Sequence, residues 1–327
     1  MTITKKKALV FLLPFWIATG IFTVWVAREV YSQLMPAQVA QRVFVYPNKP
    51  LSLPHPIYGR FPNAGEFDLT ITVPQTPIPY RFSVRTDLEG YRTTSADPAA
   101  HDGLPEIWIF GCSFTWGMPL DNEKTFPWLL QRRFGGIAVR NYAVYAFGTV
   151  HALLQMREFL DNRKREPPAV AVFDYCSFHR KRNVAAPSWL RPETITPKFD
   201  WEMRHPRASI EGDRLRIDLV SFRVPDDAED PPIDEQNRVT MAIFRELAEE
   251  CNRHGIKPVL GVQSLGDGQD PVPEYCREEL GFTVVDMMVD IREPRFNVLP
   301  YNRHPSAAAH RIYADRLGPV LEELLSP

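Results

Sequence analysis

From residue 105 to the C-terminus the sequence alternates short apolar runs with amphipathic stretches, and this restricts the fold more than any other feature. Strands are expected at Glu106 to Phe110, Ala138 to Tyr142, Ala169 to Tyr175, Ile256 to Val262 and Phe282 to Val285. Helices are expected at Phe126 to Phe134, Val150 to Leu160, Glu235 to His254 and Ser306 to Leu325. The run Ala169 to Tyr175 has almost no polar interruption, as in a parallel strand covered on both faces. In Glu235 to His254 the apolar residues Val239, Ala242, Ile243, Leu247 and Ala248 recur at helical spacing, and Gly255 suits the stop. Such alternation predicts a three-layer α/β sandwich with a mostly parallel sheet.

Ahead of this region the organisation differs. Lys5, Lys6 and Lys7 precede Ala8 to Val26, a stretch of 19 residues without a charge and close to the length that spans a bilayer. An uncleaved membrane anchor explains it better than a cleaved signal, which favours small residues before the cut where this chain has Trp25, or a buried soluble helix. The lysines favour a cytoplasmic N-terminus and place the rest of the chain outside the cytoplasm, periplasmic in a Gram-negative cell. The expected divisions are an anchor with its flanks (1–34), a proline-rich stalk with a small β extension (35–103), and a domain (104–327) with an insertion at about 187–232. Period-two alternation at Phe67 to Val73 and Tyr80 to Arg85 predicts a hairpin in the extension, and Glu211-Gly212-Asp213 marks another in the insertion.

A formal net charge of -2 gives no basic field, so nucleic acid is not an expected partner. The four cysteines, Cys112, Cys176, Cys251 and Cys276, form no close Cys-x-x-Cys pair, so neither a zinc site nor any other metal or cofactor is expected. Cys112 and Cys176 read as buried thiols; Cys251 and Cys276 could pair in an oxidising compartment.

Two segments carry chemistry. In Ile107 to Gly117 a strand runs into a tight turn that presents Ser113, and near the C-terminus Asn302-Arg303-His304-Pro305-Ser306 places a histidine just before a helix. A serine hydroxyl is a poor nucleophile until a base takes its proton, and histidine is the usual base near neutral pH. His310, inside that helix, reads as a capping or core residue.

Together these segments resemble the SGNH hydrolases, also called the GDSL family, over about residues 104–327. The first family block corresponds to Gly111-Cys112-Ser113-Phe114-Thr115-Trp116-Gly117, with Cys where the family name has Asp. The resemblance implies Ser113 as nucleophile and its backbone N–H as one oxyanion donor. The glycine of the second block falls on Ala146, whose N–H would be a second donor. The third block, Gly-x-Asn-Asp, is absent; Asn183 or His179 would have to replace its asparagine. His304 fits the last block, but the standard Asp positions hold Tyr301 and Asn302. Asn302 or a main-chain carbonyl would then orient the imidazole, with Asp286 and Asp290 as alternatives.

This resemblance implies acyl transfer through an acyl-enzyme: a serine-dependent O-acyl esterase or O-acyltransferase acting on extracytoplasmic carbohydrate, with polysaccharide-assembly proteins as further partners. Trp116, Tyr145, His179 and Arg182 are the candidate substrate contacts. A non-catalytic glycan-binding or assembly scaffold and a lipid esterase are the alternatives.

Overall fold

The computed structural model describes residues 42–161, 164–195, 202–266 and 269–326. The apolar run 8–26 lies outside them; among the described residues no helix is long and apolar enough to cross a membrane. The elements begin with β1 (Arg42–Tyr46), the hairpin β2 (Ser52–His55) and β3 (Gly59–Pro62), and the hairpin β4 (Gly65–Val73) and β5 (Thr76–Thr86). Then come β6 (Glu106–Phe110), α1 (Ser113–Trp116), α2 (Phe126–Arg133), β7 (Ala138–Asn141), α3 (Thr149–Asp161) and β8 (Val170–Cys176). They are followed by α4 (His179–Asn183), α5 (Pro187–Ile195), β9 (Arg204–Glu211), β10 (Arg214–Ser221), α6 (Ile233–His254) and β11 (Lys257–Ser264). The chain closes with α7 (Val272–Glu278), β12 (Thr283–Asp286), β13 (Asn297–Val298), β14 (Asn302–Pro305) and α8 (Ala307–Leu325). The hairpin tip Ile71–Pro79 belongs to a separate compact unit; everything that follows lies in the other, Phe44–Thr70 with Tyr80–Pro327.

Five strands form one parallel sheet in the order β12-β11-β8-β6-β7. Alternate side chains of each strand leave on opposite faces, and both faces are covered. Trp108, Phe110, Phe173, Tyr175 and Leu260 pack with residues of α3, α6 and α7. Ile107, Ile109, Val172 and Val259 pack with residues of α2 and α8. This double burial explains why β8 reads as an uninterrupted apolar run: all seven of its residues are buried, Asp174 among them. The chain leaves β6 first to β7 on one side and then returns to β8 on the other. The carboxyl end of β6 is therefore a topological switch point, where open α/β sheets form their crevices.

Residues ahead of 104 take part in the core. Tyr58, Phe61 and Tyr91 belong to the same cluster as Trp108, Tyr142 and Phe147. Tyr91 meets Tyr142 edge-on at 4.8 Å, and Tyr58 lies 5.8 Å from Phe147. In the insertion, β9 and β10 pair antiparallel about Gly212, and His205 on β9 donates through Nε2 to the Arg182 carbonyl of α4 at 2.7 Å. Cys251 and Cys276 do not pair: both are free and buried, and burial pushes the Cys251 thiol up to about 12.

Candidate active site

Ser113 opens α1 directly after β6, with Cys112 as the preceding cap residue. Two glycines make the turn possible. A side chain at Gly111 would sit 2.2 Å from Thr115 Oγ1, which instead donates to Asp174 Oδ2 at 2.7 Å. Gly117 ends α1 at φ 91, and a side chain there would meet Thr125 at 2.3 Å. The turn is clamped by Arg92, which is buried beside it. Its guanidinium donates to the carbonyls of Trp116 (2.8 Å), Gly117 (2.9 Å) and Leu120, and Nε donates to Asn122 Oδ1 (2.9 Å). It also lies 4.7 Å from the Trp116 ring.

His304 reaches Ser113 from the other end of the chain. It sits on β14, and its Nε2 is 2.8 Å from Ser113 Oγ. The strand period of two puts Asn302 on the same side as His304. Asn302 Oδ1 accepts from the His304 backbone N–H at 3.1 Å and is in short contact with Nδ1. A main-chain N–H needs an acceptor, which fixes the amide with its oxygen toward His304. Nδ1 then carries the ring proton and Nε2 is left as the acceptor facing Ser113. Burial holds His304 down to about 4, and the Arg182 charge acts in the same direction. The ring is therefore neutral at ordinary pH.

Asp286 and Asp290 do not meet the imidazole. Asp286 accepts from the Met288 N–H and lies 3.7 Å from Arg316, and Asp290 is paired with Arg292. Both project into solvent, where an arginine and the local main chain satisfy them. Asp286→Asn and Asp290→Asn are each expected to leave kcat/KM and unfolding within about 0.5 kcal/mol of wild type. A thousandfold loss in either would place a displaced carboxylate behind His304.

The two backbone N–H groups expected to hold an oxyanion belong to different segments. Ser113 is the first residue of α1, where an N–H has no intrahelical acceptor. Ala146 holds the left-handed φ of 67 in the turn closed by Phe147 N–H to Val144 carbonyl. That conformation suits glycine and is strained by about 1 kcal/mol or more for alanine. Asn183 is not a third donor. Its Oδ1 accepts from the Val150 N–H and its Nδ2 donates to Thr240, so the amide binds α3 to α6 inside the protein.

The candidate substrate contacts are corrected in the same way. Trp116 is fully buried beneath Arg92 and edge-on to Tyr145, so it offers no stacking face. Tyr145 spends its hydroxyl on Ser52 and the Leu51 carbonyl. Arg182 is buried between Phe178 (4.4 Å) and Trp189 (4.3 Å), and donates to the Phe147 carbonyl. His179 is enclosed, with its ring beside Cys112 and Cys176. The sequence did not single out Phe114 and Phe178, which meet edge-on at 5.5 Å; Phe114 also lies 5.4 Å from the His304 ring. They form an apolar wall next to the serine. The one available signal was an aromatic directly after Ser113. His310 accepts the Phe126 N–H through Nδ1 at 3.0 Å, capping α2. A cavity of about 710 Å³ lies elsewhere, lined by residues such as Glu66, Arg85 and Trp128.

No family model matches the chain, and no curated protein matches it in sequence. In structure it is similar to TesA at 15% identity, covering 67% of this chain and 99% of that one with a TM-score of 0.40. It is also similar to the psychrotrophic esterase EstA from Pseudoalteromonas sp., at 11% identity, 67% and 98% coverage and a TM-score of 0.42. A third similar structure is a member of the lipolytic protein G-D-S-L family from Veillonella parvula, at 11% identity, 66% and 98% coverage and a TM-score of 0.40.

Proposed function

We infer that the chain is a serine-dependent acyl-transfer enzyme of the SGNH type, an O-acyl esterase or O-acyltransferase. The observation that carries this reading is the 2.8 Å approach of His304 Nε2 to Ser113 Oγ, with Asn302 holding the opposite nitrogen. Ser113 Oγ attacks an ester carbonyl as His304 takes its proton. The developing oxyanion is met by the N–H groups of Ser113 and Ala146. Collapse returns the proton to the leaving alcohol and leaves an acyl-serine. His304 then activates water, giving an esterase, or a second alcohol, giving a transferase. A neutral orienting partner stabilises the imidazolium less than a carboxylate does, so turnover is slow.

Carbohydrate outside the cytoplasm is the proposed setting, on the strength of the apolar run 8–26 behind three lysines. A reporter active only outside the cytoplasm, fused at the C-terminus, is expected to give signal with the protein in the membrane fraction. A cytosolic, freely soluble full-length product contradicts this placement.

Incubation with an active-site-directed serine reagent and a small aryl acetate tests the chemistry. Labelling of Ser113 by mass spectrometry, with turnover, is expected. A folded protein with unmodified Ser113 points instead to a non-catalytic glycan-binding scaffold. The pH profile tests the base. Activity needs neutral His304 and is lost as pH falls through its pKa, so the acid limb of kcat/KM is expected near pH 4 rather than 6.5. Asn302→Asp places a negative charge beside the ring and is expected to move that limb up by about one unit or more. An unmoved limb removes Asn302 from contact with the working base.

A further inference from the structure

Beneath the serine turn, two thiols and an imidazole converge from separate elements. Cys112 is the residue before Ser113, Cys176 ends β8, and His179 opens α4. The two Sγ atoms and a ring nitrogen of His179 all lie within 4.8 Å of one another, and all three residues are buried. The His179 ring approaches the Cys112 thiol, yet neither ring nitrogen makes a hydrogen bond of ordinary geometry. An imidazole enclosed in this way is costly to leave unmatched. Cys176 has a weak contact of 3.9 Å with Gln263 Oε1, and both cysteines are free thiols.

We propose that Cys112, Cys176 and His179 form a buried three-ligand site for a soft d10 cation, Zn2+ or Cu+. Thiolate and imidazole donors select such ions over hard cations, which take oxygen ligands. Two thiolates cancel the charge of Zn2+. With Cu+ they leave one negative charge. The bound ion ties the backbone of the Ser113 turn to the end of β8 and the first turn of α4, fixing from below the segment that presents the serine. The site does not depend on the acyl-transfer reading, since none of its ligands is Ser113 or His304.

The full-length chain, reduced and kept under argon, is titrated with Co2+ as an optical stand-in for Zn2+. Saturation at one equivalent with thiolate-to-cobalt charge transfer is expected, followed by stoichiometric displacement by Zn2+. A parallel titration with Cu+ against a competing chelator shows which of the two ions is held more tightly. Cys176→Ser is expected to weaken binding more than about a hundredfold, since loss of an outer-shell partner alone costs 10–100-fold. Cys251→Ser, a buried thiol elsewhere, is expected to bind as wild type. A folded, reduced wild type that takes up neither ion overturns the proposal. So does metal uptake that Cys176→Ser leaves unchanged, or a Cys112–Cys176 disulfide that on reduction yields no metal binding.

Discussion

Ser113→Ala is expected to lower acyl transfer by about a thousandfold or more, with thermal unfolding nearly unchanged. His304→Ala is expected to fall to the same floor, and the double variant no further. The reason is geometric. Ser113 Oγ and His304 Nε2 share one hydrogen bond, and removing either end leaves the other without chemistry. Groups that act as a unit lose their effect together, so single losses do not multiply. Initial rates of the three variants on one aryl ester measure this directly. If the double variant were as slow as the product of the two single losses, the residues would contribute independently and the dyad would be the wrong description.

Arg92→Met is expected to destabilise the protein by about 3–5 kcal/mol, the range for breaking a buried charged network. Arg92 is buried, and burial depresses its guanidinium to about 9, against the opposing charges of Asp121 and Glu123. Its partners are mostly main-chain carbonyls at the end of α1, which lose their donors when it is removed. Those carbonyls carry the negative end of the short helix that begins at Ser113, so the surviving folded fraction is expected to turn over more slowly as well. Arg92→Lys is not expected to rescue it, because an ammonium lacks the planar fork that reaches Asn122 and three carbonyls at once. Chemical denaturation with circular dichroism gives the comparison. A midpoint within about 1 kcal/mol of wild type would show that solvent or a neighbour takes over these carbonyls.

The sheet was legible because β6, β8 and β11 are covered on both faces and so read as nearly continuous apolar runs. Ser113 and His304 were legible because each stands in a local pattern. What was hidden depends on three-dimensional convergence. Cys112, Cys176 and His179 lie on three elements, and a spacing rule for metal ligands looks only along the chain. Arg92 is one arginine in a connecting segment, with no periodicity to reveal that it points inward. Aromatics are ambiguous in another way. Trp116 could be core or a stacking platform on sequence grounds, and only the guanidinium lying on its ring shows it to be core. The Asn183 amide was equally open until Thr240 and Val150, far away in sequence, proved to claim it.

The residues ahead of 104 that join the core limit how this protein can be cut. A gene fragment beginning at 104, where the resemblance begins, would retain the serine, the histidine and the whole parallel sheet. It would lack Tyr58, Phe61 and Tyr91, whose rings cover Tyr142, Phe147 and Phe159, and it would lack Arg92. Those three aromatics would become a wet apolar patch, a surface that drives molecules to stick to one another. The shortest piece worth producing for crystallisation or screening therefore begins before Ser52, whose hydroxyl already binds Tyr145.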